Sequence, residues 1–323
     1  MLGALALISF AVTFAALRLL LAQFARIALD QPNERSLHER PVPRTGGIAL
    51  LAGAAASLAF GATALWLPLA LAAALAVLSF ADDLRGLPTA LRLASHLAAA
   101  GIIVWYLMSP MQPLALVILA LAVAWITNLY NFMDGSDGLA GGMALIGFGA
   151  YAAAAALAGH AQLAALSVAL AAAAGAFLLL NFPPARIFLG DAGAVPLGFL
   201  AASLGLVGWR DDLWPLWFPL VVFAPFIGDA TLTLLRRLAR GERVWHAHRE
   251  HYYQRLVRLG AGHRGAALTG YGLMLACAAA ALYARDAAAP VQAGAIGAAL
   301  LVLAAAAVWI DVRWSRHERR TAN

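Results

Sequence analysis

The chain contains no lysine: all 22 of its basic residues are arginine. Charge of either sign is scarce, at 12% of 323 residues, where a soluble domain carries about 25%. With 63% hydrophobic residues and a mean hydropathy of +0.81, most of the surface must meet lipid rather than water. The arginine bias accompanies a heavy use of alanine and reads as coding bias. A single cysteine, Cys277 in an apolar stretch, excludes a disulfide framework and cysteine-ligated zinc. An absent lysine also removes any G-x-x-x-x-G-K-[ST] nucleotide loop. The isoelectric point near 10.1 would suit nucleic acid, but the arginines sit in short loops between apolar runs. That placement is a topology signal, and no nucleic-acid partner is expected.

Apolar runs of about 17–25 residues can cross a bilayer as helices. Eleven are expected, near 3–23, 46–61, 64–81, 93–109, 112–128, 139–158, 162–180, 193–209, 215–234, 266–284 and 291–311. No positive stretch precedes the first run, so it is expected to stay as a span rather than be removed as a leader. The fold class is therefore an all-α integral membrane protein, a single polytopic domain over 1–323. Arginines crowd one set of loops, from Arg26, Arg35, Arg40 and Arg44 through Arg85, Arg92 and Arg186 to the run between Arg236 and Arg264 and the tail after Arg313. Only Arg210 and Arg285 fall on the other side. The positive-inside rule makes the rich side cytoplasmic, with the N-terminus outside and the C-terminus inside. Nearly all carboxylates follow the arginines, and Asp229 alone lies well within a span.

Five segments on that side carry chemistry. The loop Asp30-Gln-Pro-Asn through Gly46-Gly47 holds three prolines, which preclude a regular helix. Asp82-Asp83 end the third span, where two like charges meet the negative end of a helix and need a positive partner. Arg85 is the plain candidate; a divalent cation or a substrate proton is the chemical one. Asn128-Leu-Tyr-Asn-Phe-Met-Asp-Gly-Ser-Asp-Gly138 packs oxygen donors between two apolar runs, more than a turn with one capping Asp137 would need. Asn181-Phe-Pro-Pro-Ala-Arg-Ile-Phe-Leu-Gly-Asp-Ala-Gly193 ends on Asp191, where a helix cap is again the plain alternative. Hard oxygen donors without cysteine suit magnesium or manganese. Last, His246-Ala-His-Arg-Glu-His-Tyr-Tyr-Gln-Arg-Leu256 lacks the i,i+4 histidine pair of helical zinc sites. Its histidines and arginines better suit an anion, by charge-assisted hydrogen bonds; an interfacial helix on lipid headgroups is the plain reading.

In this order, the five motifs resemble those of the polyprenyl-phosphate N-acetylhexosamine-1-phosphate transferases of glycosyltransferase family 4, over residues 30 to 260. The resemblance implies transfer of an N-acetylhexosamine 1-phosphate from a UDP-N-acetylhexosamine to undecaprenyl phosphate, with release of UMP and a requirement for magnesium, manganese being the substitute. It implies a catalytic set of Asp82, Asp83, Asp134, Asp137, His246, His248 and His251. Substrate contacts would come from Asn131, Asn181, Phe188, Arg40, Arg44 and Arg249, with Phe188 stacking on uracil and Asp191 ligating the metal. The site would be built from cytoplasmic loops near 24–45, 82–92, 129–138, 181–192 and 239–264 in the bacterial inner membrane, with a homodimer as a candidate assembly. Ala194 stands where many members have serine. The last loop lacks the consecutive histidines of the peptidoglycan branch and is more similar to the branch that starts O-antigen and related lipopolysaccharide glycans.

Two other classes compete. An ion- or proton-coupled transporter would place ionisable groups near the bilayer midplane, as Asp229 alone hints. A protein that binds or flips lipid-linked sugars would not need the metal-type aspartates. Orientation is open to direct test. A single cysteine placed in the 240–263 loop, after replacement of Cys277, should react with a membrane-impermeant reagent only once the cytoplasm is opened. Labelling of intact cells would overturn the arginine argument.

Overall fold

The computed structural model describes residues 1–24, 28–30, 37, 41–58, 65–243 and 248–321. Its helices are α1 (Leu2–Gln23), α2 (Gly46–Leu58), α3 (Trp66–Arg85), α4 (Thr89–Met108), α5 (Pro113–Phe132), α6 (Leu139–Leu157), α7 (Ala161–Asn181), α8 (Asp191–Arg210), α9 (Trp217–Val222), α10 (Ala224–Ala239), α11 (Tyr252–Leu256), α12 (Gly262–Ala284) and α13 (Ala289–Thr321). A π-helical turn, Val257–Ala261, joins α11 to α12. The only sheet among the described residues is one antiparallel pair, β1 (Leu29–Asp30) with β2 (Val42–Pro43). In the proline-bearing loop this pair supplies the order that a helix could not, and it sets Asp30 near Arg44.

Nine of these helical stretches are long and apolar enough to cross a membrane among the described residues, and they coincide with nine of the eleven expected runs. Of the second expected run, the described residues Gly46–Leu58 form α2. The ninth is not continuous: α9 and α10 meet at Phe223–Ala224 ahead of Pro225. Proline has no N–H for the helical ladder and clashes with the preceding turn, so the run divides there. The last run also departs from expectation. Helix α13 continues for 33 residues, roughly 50 Å at 1.5 Å per residue, well beyond a hydrocarbon core of about 30 Å. The tail expected beyond the last span is thus the helix's continuation, with Trp314 donating to Glu318 one turn on at 2.7 Å.

Helix α8 is the axis of the bundle. Every residue from Ala192 to Gly208 in it is buried, under α2, α3, α4, α5 and α6. By contrast, Ala299 and Ile310 are the buried hydrophobics of α13, which stands at the periphery against α12. Helices without a water-driven hydrophobic effect between them associate through close packing, so small residues mark their crossings. At the crossing of α2 on α8, Gly47 meets Gly193, and a Cβ on either would collide with the other's backbone. The backbone N–H of Gly47 also donates to Leu189 O at 2.9 Å, and that of Gly46 to Phe188 O at 2.9 Å. The crossing therefore fixes the start of α8, and Asp191 with it. At the far end of the bundle an aromatic cluster of Tyr151, Trp214, Phe218 and Phe223 closes α6 on α9, with Tyr151 donating to Ala201 O and Trp214 to Gly205 O.

An alanine in place of a helical glycine gains up to about 1 kcal/mol of helix propensity, and overpacking costs about 1–3 kcal/mol. At Gly47 the obstacle is backbone that cannot turn aside, so the second effect wins. Gly47→Ala should lower the thermal midpoint in detergent, whereas Gly101→Ala in α4, which meets nothing within 4 Å, should raise it or leave it unchanged. Equal midpoints for both variants would show that the α2–α8 crossing is not as close as described.

Candidate active site

A cavity of about 230 Å³ opens at the end of the bundle where α3, α5 and α7 finish and α6 and α8 begin. Asp30, Arg44, Asn131, Asp134, Asp137, Asn181, Phe188 and Asp191 line it, together with Leu37 and His263. Seven of the fourteen residues singled out in the sequence thus share one wall. Asp82 and Asp83 stand directly behind it. Arg40 and His246 lie outside the described residues.

The charges are organised by two arginines, and neither is Arg85. Arg92 donates to Asp82 at 2.6 Å and lies 3.6 Å from Asp191. Arg44 lies 3.5 Å from Asp83 and 3.7 Å from Asp30. Each guanidinium therefore spans two carboxylates from different elements. Asp82 is saturated, since its second oxygen accepts from Leu87 N–H at 2.6 Å. That bond fastens the turn after α3, and Arg92 stands on the next helix. Asp83 has a side chain only 2% exposed and accepts from Ala192 N–H at 3.4 Å, at the start of α8. Gly190, with φ of +73°, is required between them: a Cβ there would strike Arg44 O and come within 3.1 Å of the Asp83 carboxylate.

Neither Asp137 nor Asp191 serves as a helix cap. The residues before α6 and α8 that hold the cap positions are Gly138 and Gly190, without side-chain bonds. Asp137 instead accepts from Ala185 N–H at 2.9 Å, tying the Asn128–Gly138 segment to the Asn181–Gly193 segment. Asn181 doubles this bracket, accepting from Gly138 N–H and donating to Ile187 O, both at 2.9 Å. Its amide is spent on backbone, so it shapes the wall rather than reaching for a ligand. Asp191 is free of such duties. Asn131 hydrogen-bonds its carboxylate, and its side chain remains 27% exposed to the cavity. The Asp134 carboxyl is pushed well above the usual carboxylate range, first by removal from water and then by the charges of Asp191, Asp83, Asp30 and Asp137.

The histidine loop is not part of this cavity. His251 is buried and set 3.2 Å from Asp229, whose carboxylate also accepts the backbone N–H groups of Tyr252 at 2.9 Å and Tyr253 at 3.0 Å. The lone carboxylate within a span is thereby explained as the anchor of α11, and the transporter reading loses its one support. The ring of His248 lies 4.8 Å from that of His251, and Tyr253 stacks on His251 at 5.7 Å. Tyr253 then donates to Phe132 O at 3.1 Å, so it separates the histidines from the cavity while joining the two. Arg249 likewise stays outside the lining.

Sequence reasoning overlooked His263. Its Nδ1 accepts from Asp137 N–H at 3.3 Å and from Ser136 at 3.0 Å, and its Nε2 therefore carries the proton donated to Leu37 O at 3.1 Å. The local signal was a Gly-His step at the mouth of an apolar run, the same pattern that marks Gly190-Asp191.

Comparison with known proteins bears on this arrangement. The family model described as glycosyl transferase family 4 matches residues 65–209. The chain is 30% identical over 263 residues to a probable undecaprenyl-phosphate N-acetylglucosaminyl 1-phosphate transferase of Bacillus subtilis, covering 76% of this chain and 74% of that one. The chain belongs to glycosyl transferase family 4. It is also 31% identical over 295 residues to a decaprenyl-phosphate N-acetylglucosaminephosphotransferase of Mycobacterium leprae, covering 76% of this chain and 73% of the relative. An undecaprenyl-phosphate alpha-N-acetylglucosaminyl 1-phosphate transferase of Escherichia coli K12 is 28% identical over 262 residues, covering 72% and 70%. The stretch matched by the glycosyl transferase family 4 model holds Asp82, Asp83, Arg92, Asn131, Asp134, Asp137, Asn181, Phe188 and Asp191. Asp30, Arg44, the histidine loop and His263 lie beyond it.

Burial, then the neighbouring His251 and Arg237, lowers the His248 imidazole from 6.5 to about 4. It is neutral in the ligand-free protein at pH 7. An unfolded chain takes up this proton near pH 6.5 and the native one near 4, so the group removes stability as pH falls through 6.5 and reaches its full cost below 4. His248→Gln should flatten the loss of thermal stability between pH 6.5 and 4. A His248 resonance titrating above pH 6 in histidine-labelled ligand-free protein would contradict the burial argument.

Proposed function

We propose that this protein transfers N-acetylhexosamine 1-phosphate from a UDP-sugar to undecaprenyl phosphate, releasing UMP and leaving a lipid-linked diphosphate sugar that starts a cell-surface glycan of the O-antigen type. The observation that carries the reading is one cavity at a bundle end that combines the Phe188 ring with crowded carboxylates bridged by arginines. The named relatives all carry N-acetylglucosamine, which makes UDP-N-acetylglucosamine the first donor to assay. We further propose that the cavity faces the cytoplasm of a bacterial inner membrane, a reading supported by the arginine distribution.

The chemistry needs two anions brought together. Phe188 offers a face for the uracil ring, held by its own N–H to Pro43 O at 2.8 Å. A lipid phosphate with a second pKa of roughly 6 is largely ionised at neutral pH, so an aspartate need not remove a proton from it. An oxygen of that phosphate attacks the phosphorus bearing the sugar, the bond to the uridine phosphate breaks, and UMP leaves. Arg44 and Arg92 can turn from carboxylates to phosphate oxygens, as their longer 3.5–3.7 Å contacts with Asp30, Asp83 and Asp191 allow. Asp82, saturated by backbone and Arg92, holds the α3–α4 turn. His248 and His251 lie behind Tyr253, which joins them to the cavity wall through Phe132 O.

Magnesium fits these residues as a substrate-dependent partner. No group of three metal-type side chains is preassembled among the described residues. Magnesium, however, is typically held by one or two carboxylates, waters and substrate phosphates. Asp191, oriented by Asn131, is the carboxylate placed to hold it, with Asp134 across the cavity. The ion would neutralise the diphosphate and stabilise the departing UMP.

Asp191→Asn should lower UMP release by on the order of 100-fold or more, the scale seen when a charge-stabilising group at a reaction centre is lost, with the thermal midpoint retained. Chelation of magnesium should stop the wild type and manganese should restore it. Near-normal turnover of Asp191→Asn with an unaltered metal requirement would remove Asp191 from the ligand role.

A further inference from the structure

Outside the cavity, one carboxylate gathers partners from three elements. Asp311 lies on α13, where the helix leaves the expected hydrocarbon zone. It accepts from Arg236 of α10 at 2.8 and 3.0 Å, from Arg255 of α11 at 3.0 Å and from the Tyr252 hydroxyl of α11 at 3.1 Å. Both guanidiniums also lie over the Tyr252 ring, at 5.4 and 5.6 Å. Without Asp311, two cations would face one ring, with Glu250 at 3.8 Å as the remaining counter-charge of Arg255.

Helix α11 has five residues and cannot hold itself together, because a single turn pays the cost of nucleation for almost no hydrogen bonds. Two carboxylates from two longer helices hold it instead. Asp229 fixes its first turn through backbone N–H groups, and Asp311 grips its side through Tyr252 and Arg255, one turn apart on the same face. His251 and Tyr253 belong to the other side, where Tyr253 meets Phe132 O and stands over Gly135, beside Asp134. A helix held only at its start could pivot; the second grip sets its rotation, and hence where the rings of His248, His251 and Tyr253 lie against the Asp134–Asp137 wall.

We propose that Asp311 is a positioning residue for the transfer reaction, acting through Tyr252 and Arg255, and that the cytoplasmic end of the last helix is thereby part of the catalytic apparatus. The proposal rests on the reading of the histidine loop as a partner of the cavity in transfer. Asp311 is 28% exposed, so its replacement leaves the apolar packing of the bundle alone.

The test compares Asp311→Asn, Asp311→Glu, Tyr252→Phe and the double variant Asp311→Asn/Tyr252→Phe in the full chain in detergent, with His251→Ala alongside. Turnover, KM for each substrate and the thermal midpoint are measured. Asp311→Asn should lower kcat about 10- to 100-fold, as small misplacements of catalytic groups do, with donor KM and thermal midpoint near wild type. Asp311→Glu should recover most of the loss, and Tyr252→Phe should add little once Asp311 is gone, because both act through one contact. Wild-type kcat in Asp311→Asn, while His251→Ala is inactive, overturns the positioning role. So does a loss that Glu fails to rescue and that tracks the thermal midpoint. Full activity in His251→Ala removes the histidine reading itself, and the proposal with it.

Discussion

Six carboxylates, Asp30, Asp82, Asp83, Asp134, Asp137 and Asp191, meet within one corner of a protein that is otherwise starved of charge. Like charges half withdrawn from water repel strongly, and each such group either finds a counter-charge or takes up a proton. The structure uses both routes. Arg44 and Arg92 each bridge two carboxylates, backbone N–H groups satisfy Asp82, Asp83 and Asp137, and the Asp134 carboxyl is pushed toward its neutral form. Most of the local architecture follows from this need. The β1–β2 pair exists in a proline-rich loop where it carries Asp30 and Arg44, and Gly190 leaves room for an arginine carbonyl beside a buried carboxylate.

The apolar bundle supplies the rigidity that such crowding demands. Helix α8 is buried along its length, so Asp191 starts from the most deeply buried of the long helices. The glycine crossing of α2 on α8 then fastens the Arg44 loop to the same point. Asn181 and Asp137 bracket the two motif segments through backbone groups. Residues that look like ligands in the sequence thus divide into those that build the wall and those left facing the cavity, above all Asp191.

Most of the helices were legible from runs of apolar residues, since the bilayer sets their length, and the polar motifs between them marked the site end of the bundle. The break at Pro225 and the continuation of α13 past Asp311 were less so. A proline within a run permits a kink or a break, and an arginine-bearing end permits helix or tail, so packing on α11 decides. For the same reason the partners of Asp82 and Asp83 could not be read locally. Arg85 is adjacent in sequence but Arg92 and Arg44 arrive from the next helix and from an earlier loop. The histidines show how far partners can lie from what spacing suggests. Their spacing suggested a shared anion site, yet His251 is committed to Asp229, while the unremarked His263 closes the cavity through Asp137 and Leu37.

The balance of charge in the cavity bears on the proposed reaction. Asp30, Asp134, Asp137 and Asp191 face Arg44 across the lining, so these residues by themselves are a poor host for an anion. A sugar diphosphate and a lipid phosphate bring several further negative charges to the same place. Arginines alone cannot serve both, because a guanidinium turned toward a phosphate leaves a carboxylate without its counter-charge. The proposed divalent cation would resolve the conflict, since such an ion attracts carboxylate and phosphate oxygens at once. Its arrival would also favour ionisation of Asp134, whose carboxyl is pushed toward its neutral form first by removal from water and then by the charges of its neighbours. In the proposed mechanism metal and donor therefore enter as one complex, and the carboxylates that repel each other in the empty protein become the reason that neither partner binds well alone.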